Sequence, residues 1–389
     1  MEKIYYNKQF LDQSDLREVQ KSLKEKLITT GPYIQKLEEG LKKYLNTKNA
    51  IVCSSGTSAI FMALKSINLK SGDNIIIPAI NFIASVNMSE TLGANIYLAD
   101  VDANTGQMTP KNLEDCIRHN KLKKIKAVVT MYLGGSPNNI LAFYKLKKNF
   151  KFFLIEDSCH ALGAKYIHNN KTLMVGCSQH CDLSTFSLHP VKSITSGEGG
   201  IVTTNNNKLA SRIKLLRSHG MYKKKNTSQY WKYDIITPGF NFRLSDINAS
   251  LAFSQLKKLN RFIAHRNKLF LKYCSQFKDI SNILKIIKND KNTVSAHHLL
   301  IVMINFKKLK INKDQFIQKL IHNGIFPQFH YKPIYKFTYY KKLKNKYKFT
   351  NSNDYYNNAL SLPLYYSLSE KHLIKITTII KKILKKYEI

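Results

Sequence analysis

Short apolar runs alternate with helical spacings through the first part of this chain. Asp15 to Leu27 and Tyr33 to Tyr44 repeat apolar residues at helical intervals, with Thr29-Thr-Gly-Pro32 breaking the pattern between them. Ala50–Cys53, Asn74–Pro78, Ala94–Ala99, Lys126–Met131 and Phe152–Ile155 are apolar and of strand length, and helical patterns follow, the first from Ser58. Strands that are apolar on both faces need cover on both sides. The alternation therefore predicts an α/β fold with a mainly parallel central sheet between helices. Beyond it the pattern changes. A long helical stretch runs from Leu251 to Tyr273, strand-like residues span His298 to Asn305, and helices are expected over Lys313 to Asn323 and after Ser369. A boundary near residue 255 follows, with a large domain over 1–255 and a smaller C-terminal α+β domain over 256–389.

The 389 residues are 43% hydrophobic and 11% aromatic, enough for substantial cores and unlike a disordered or fibrous chain. The longest apolar runs, such as Asn74 to Ile80, fall far short of the roughly 20 residues that cross a bilayer. Met1-Glu-Lys-Ile-Tyr-Tyr-Asn-Lys carries no apolar leader core, so a cytoplasmic protein without membrane insertion is expected. Lys and Arg number 62 against 25 Asp and Glu, a formal charge of +37 that would attract polyanions. The lysines are dispersed among Asn, Ile and Tyr without a basic arm, as an AT-rich coding sequence would also produce. No nucleic-acid motif accompanies them, and no specific nucleic-acid partner is expected. Cys53, Cys116, Cys159, Cys177, Cys181 and Cys274 show no disulfide framework. Cys177-Ser-Gln-His180-Cys181 has no second ligand cluster, so reduced structural thiols and no metal are expected.

Three segments carry candidate chemistry. Ser54-Ser-Gly-Thr-Ser58 lies between a strand and a helix, where backbone N–H groups and hydroxyls suit a phosphate; plain helix capping explains the same residues. Phe153-Leu-Ile-Glu-Asp157-Ser-Cys-His160 ends an apolar strand in a carboxylate. Such an acid can hold a pyridine nitrogen protonated or simply cap the next turn. Asp182-Leu-Ser-Thr-Phe-Ser187 delivers a hydroxyl, then Lys192, then the glycines of Gly197-Glu-Gly-Gly200. Lysine condenses with an aldehyde cofactor, and desolvation draws its pKa toward neutrality.

Ser187-Leu-His-Pro-Val-Lys192 with Gly197-Glu-Gly-Gly200, Glu156-Asp157-Ser-Cys-His160 and Gly239-Phe-Asn241-Phe-Arg-Leu-Ser-Asp246 together resemble the DegT/DnrJ-type nucleotide-sugar aminotransferases. The likeness runs in order from Thr29-Thr-Gly-Pro32 to Ala359-Leu-Ser-Leu-Pro363. Arg217-Ser-His-Gly-Met221 and Phe329-His330-Tyr331-Lys332-Pro333-Ile-Tyr335 are similar to the C4 aminotransferases of bacterial nonulosonic (pseudaminic) acid synthesis.

The resemblance implies fold type I of the pyridoxal 5′-phosphate (PLP) enzymes, the aspartate-aminotransferase-like fold, and it implies residue roles. Lys192 corresponds to the lysine that binds PLP covalently, Asp157 to the carboxylate on the pyridine nitrogen, and His160 to a neighbour of the phenolic oxygen. Phe82 corresponds to the aromatic stacked on the ring; Gly56, Thr57 and Ser187 fall at phosphate-binding positions. Asn241 corresponds to an asparagine that reaches the phosphate of the partner subunit, implying a homodimer with shared active sites. Tyr6, Lys26, Leu27, Ile28, Thr29, His330, Tyr331, Lys332 and Pro333 match sugar-nucleotide positions. The implied reaction takes an amino group from an amino acid, L-glutamate, to C4 of a UDP-linked 4-keto-6-deoxy-N-acetyl sugar. A lysine at 192 suits amino transfer, whereas the family's dehydrating members carry histidine there. Ser55 and Leu188 depart from the family's usual Asn and Phe. Another keto-sugar acceptor, of the perosamine or 3-keto type, and a non-catalytic regulator on the same fold are the alternatives.

Overall fold

The computed structural model describes residues 2–223, 229, 231–343 and 348–389. A seven-stranded sheet forms the centre. Its strands are β1 (Asn49–Cys53), β2 (Asn74–Pro78), β3 (Asn95–Ala99), β4 (Ala127–Met131), β5 (Phe153–Asp157), β6 (Leu183–Ser187) and β7 (Gly200–Thr204), in spatial order β1-β7-β6-β5-β4-β2-β3. All neighbours are parallel except β7, which runs antiparallel to both β1 and β6. β1, β6, β5 and β4 therefore end at one edge of the sheet, where α/β folds gather reactive groups.

Helices α1 (Gln13–Ser22) and α2 (Pro32–Leu45) precede the sheet, and α3 (Gly56–Ser66), α4 (Ala84–Thr91), α5 (Pro110–His119) and α6 (Ile140–Phe150) connect its strands. α7 (Asn207–Arg217) and α8 (Asp246–Leu256) follow it. Ile51, Ile75, Ile77 and Val129 pack on one face with α3 and α7, while Ala50, Val52, Phe186 and Ile201 pack on the other with α2 and α8. The strand expectations therefore hold, with both faces buried.

Two helical expectations differ. The spacing that predicts a helix to Leu27 ends at Ser22, because Leu23 and Leu27 keep the period but face solvent. Ser22 instead turns inward against the Ser250 hydroxyl at 3.1 Å. The single helix expected from Leu251 to Tyr273 is two, α8 and α9 (Leu259–Gln276). Lys258 N–H closes a tighter turn on Gln255 at 2.9 Å, and its amine is held by Asp15 at 2.6 Å and Asp12 at 2.9 Å beside α1.

The C-terminal part carries an antiparallel sheet of β8 (Leu284–Ile286), β9 (Leu300–Ile304) and β10 (Ala359–Leu362), with α10 (Lys313–His322), α11 (Thr350–Asn358) and α12 (Glu370–Tyr387). The cores interleave along the chain. Ile4 pairs with Ile325 and packs in the C-terminal cluster, whereas Ile334, Tyr335 and Tyr340 pack with the large sheet. We propose the division near residue 255 as one between the two sheets. Among the described residues no helix is long and apolar enough to cross a membrane.

One turn ties the units together beside the site. Gly106 has φ +69°, and a Cβ there would lie 2.5 Å from the Tyr355 ring, whose hydroxyl donates to the His330 carbonyl at 2.9 Å. Gly106→Ala is expected to destabilise the protein by more than about 1 kcal/mol, through left-handed strain and a displaced ring. Chemical denaturation measures it.

Candidate active site

β5 places Asp157 at its carboxyl end, paired with Met131 of β4 on one side and Thr185 of β6 on the other. β6 ends in Ser187, and β1 leads to α3, whose cap is a reciprocal pair between Ser55 and Ser58. Ser55 rather than Ser58 caps this helix, so α3 begins at Gly56, two residues earlier than expected. Its first amides point out of the helix end, as every helix N-terminus requires. A Cβ on Gly56 would approach the Ser187 Cβ to 3.0 Å, so glycine lets this helix start press against the end of β6. After Ser187 the chain turns, with Lys192 N–H donating to the His189 carbonyl at 2.9 Å, and Leu188 anchors the loop to Gly199 at 2.8 Å.

These ends surround a cavity of about 540 Å3, a size suited to a cofactor with part of a substrate. Tyr6, Gly56, Thr57, Phe82, Asp157, His160, Ser187, Lys192, His330 and Tyr331 all line it. Lys26, Leu27, Ile28 and Thr29 do not: they are exposed, with Thr29 bridged to Ser245. Lys332 is exposed with its amine 5.0 Å from the Phe337 ring, and Pro333 is buried outside the cavity wall. Asn241 is exposed and bridged to Ser218, away from this chain's own cavity.

The cavity is electrostatically tuned. Asp157 is 2% exposed, with Cys159 N–H at 3.2 Å and the Ser85 hydroxyl at 3.5 Å as partners. Burial raises its pKa, against the pull of these bonds and of the Lys192 charge. Burial also lowers the Lys192 pKa, opposed by Cys159 and Asp157. His160 accepts from Gly134 N–H through Nδ1 at 3.3 Å, and its Nε2 lies 2.9 Å from the Tyr331 hydroxyl. Its ring centre is 4.3 Å from that of His298, a cavity residue that the sequence patterns did not single out. The signal was the pair His297-His298 just ahead of an apolar strand. Cys159, Gln328 and Phe329 are further cavity residues missed; nothing in their types marked them.

Burial, then the Lys192 charge, drives the pKa of His160, His298 and His330 down, for His330 to about 3. The unfolded chain binds protons at these sites near pH 6.5 while the folded one does not, so stability rises with pH in this window. Acidification from about pH 6.5 toward pH 3 is expected to cost about 1.4 kcal/mol per pH unit for His330, and His160 and His298 act in the same direction. Denaturation midpoints of wild type and His330→Gln across that range measure the His330 share: the variant's slope should be shallower.

The carboxyl edge of a mostly parallel sheet carrying a lysine, a buried carboxylate and a helix start around one cavity defines a PLP-enzyme architecture. The description of the DegT/DnrJ/EryC1/StrS aminotransferase family matches residues 9–381, and the chain belongs to that family. It is 35% identical over 388 residues, 99% of both chains, to the UDP-4-amino-4,6-dideoxy-N-acetyl-beta-L-altrosamine transaminase of Campylobacter jejuni subsp. jejuni serotype O:23/36 (strain 81-176). The solved structure of Helicobacter pylori PseC, an aminotransferase involved in the biosynthesis of pseudoaminic acid, superposes with a TM-score of 0.88 at 30% identity, covering 99% of this chain and 100% of that one. The PLP form of the sugar aminotransferase Spr1654 from Streptococcus pneumoniae, titled putative, superposes at 0.88 with 26% identity and 99% coverage of both chains. The fold is that of PLP-dependent aminotransferases, and PLP is the family's cofactor.

The residues present fit PLP. Asp157 is a desolvated carboxylate with two weak partners, suited to a cationic ring N–H. The glycine-floored start of α3 is a cradle for a phosphate. Lys192 presents an amine to the same cavity.

Proposed function

We propose that this protein transfers an amino group from L-glutamate to C4 of a UDP-linked 4-keto-6-deoxy-N-acetyl sugar, in the synthesis of a nonulosonic acid such as pseudaminic acid. It acts as a cytoplasmic homodimer. The observation that carries the reading is the joint placement of Lys192 and Asp157 in one cavity of a family aminotransferase. Full-length similarity to transaminases named for an altrosamine nucleotide supports the acceptor.

PLP supplies an aldehyde for the amino group and a ring that accepts the electron pair left when a C–H bond breaks. Burial lowers the Lys192 pKa and so favours the neutral amine; as the base, that amine takes the proton from the donor's α-carbon and returns one to the sugar's C4. Asp157 holds a proton on the ring nitrogen, and its burial strengthens that interaction. The amides of Gly56 and Thr57 and the Ser187 hydroxyl hold the phosphate, and Phe82 covers one ring face. Tyr6 and His330 line the sugar side of the cavity. Asn241, exposed here, reaches the phosphate of the second subunit. Exposed Leu27, Ile28, Ile235, Ile236 and Phe240 supply apolar surface for that subunit.

The test is the visible spectrum of purified protein with PLP, recorded before and after L-glutamate and then after candidate keto-sugar nucleotides. Conversion by glutamate and recovery by the UDP-4-keto sugar alone support the reading. Recovery by a different keto sugar rejects the acceptor, and a protein that binds no PLP rejects the enzyme.

A further inference from the structure

Resting on the PLP reading, we infer that Tyr331 is the hydrogen-bond donor offered to the cofactor's phenolic oxygen, and that His160 is a positioning residue that aims it. The argument begins at a backbone amide. Gly134 N–H points at His160 Nδ1 at 3.3 Å, so that nitrogen carries a lone pair. The ring is neutral, buried beside Lys192, His298 and His330, and its one proton therefore sits on Nε2. That proton is directed at the Tyr331 oxygen, 2.9 Å away. The phenol oxygen accepts there, which leaves its own hydrogen to turn into the cavity.

Tyr331 keeps that hydrogen, because burial and the Asp157 carboxylate push its pKa well above the usual range. Each end of the relay is braced. The Leu133 carbonyl, in the same peptide plane as Gly134 N–H, accepts from the Gln107 side-chain amide at 3.4 Å, and the Gly134 carbonyl accepts from His298 N–H at 2.9 Å. On the other side, His330 Nδ1 meets the Ser361 hydroxyl at 2.8 Å, and Tyr355 holds the His330 carbonyl at 2.9 Å. The Tyr331 ring faces Phe82, with centres 5.8 Å apart. In PLP the phenolic oxygen and the phosphate arm flank the aldehyde carbon on its two sides. With the aldehyde assigned to Lys192, the nitrogen to Asp157 and the phosphate to α3, the phenolic edge is left to the wall that carries Tyr331 and His160. The Nε2 proton of His160 is already committed to Tyr331, so the phenol makes the contact.

Two measurements test this. In PLP-loaded protein, the pH midpoint of the cofactor's visible-band change should rise by about one unit in Tyr331→Phe, which loses a hydrogen bond to an anionic oxygen. His160→Gln should shift it by less. A Tyr331→Phe midpoint within about 0.2 units of wild type overturns the proposal, whether or not His160→Gln shifts. In cofactor-free protein, nitrogen-15 spectra should show His160 protonated at Nε2 only, with that N–H moving in Tyr331→Phe. Protonation at Nδ1 instead overturns the relay. If wild type takes up no PLP while the nitrogen-15 pattern holds, the aminotransferase reading fails and the relay stands as a structural feature without a cofactor to serve, which also overturns the assigned contact.

Discussion

Replacing Lys192 by alanine is expected to reduce amino transfer by about 10^3–10^4-fold, the size of losing a positioned proton-transfer group. The lysine is the one residue assigned to move the proton both at the donor's α-carbon and at the sugar's C4, so both half-reactions should fall together. Stability should not fall with them. Burial lowers the Lys192 pKa, which means the folded state pays to keep the amine charged. In cofactor-free protein, removing it should leave the melting temperature equal or higher. Single-turnover rates with L-glutamate and with keto-sugar nucleotide, alongside thermal melts, measure both. A variant slowed in only one half-reaction would show that another group carries the proton in the other.

Asp157→Asn is expected to lower kcat by about 10^2–10^3-fold, the scale of one preorganised electrostatic contact to developing charge. Asparagine keeps the shape but cannot hold the ring nitrogen as a cation, so the electron pair released at the α-carbon loses its sink. Without cofactor the sign of the stability effect is opposite. Burial raises the Asp157 pKa, so an uncharged side chain should be tolerated at least as well in the cofactor-free protein. Steady-state kinetics and melts with and without PLP separate the two effects. A fully active Asp157→Asn would remove Asp157 from the chemistry.

The sequence patterns located most strands because a strand buried on both faces reads as an unbroken apolar run, as Ala127–Met131 does. Ser187, Lys192 and Asp157 stood out because each closes or follows such a run with a polar group. The β-hairpin of Lys165–His168 and Lys171–Met174 escaped, although Asn169-Asn170, both at positive φ (48° and 58°), is a recognisable tight-turn pair. The break between α8 and α9 had no such marker: Leu256 and Leu259 are both buried, so the apolar spacing runs through it.

The chain's own pattern was enough to specify the α/β class, the parallel sheet and the identity of the groups at its carboxyl edge. These depend on near neighbours: burial periodicity, caps and strand ends. Which groups meet was settled by the tertiary fold. Tyr331 reaches His160 across 171 positions of sequence, and His298 comes to the same cluster from the loop before β9. The same folding leaves Lys26–Thr29, Lys332 and Asn241 outside this cavity. Their spacing along the chain carries no information about those distances. The depressed histidine pKa values are tertiary for the same reason, since desolvation is a property of what packs around a ring and not of its neighbours in sequence.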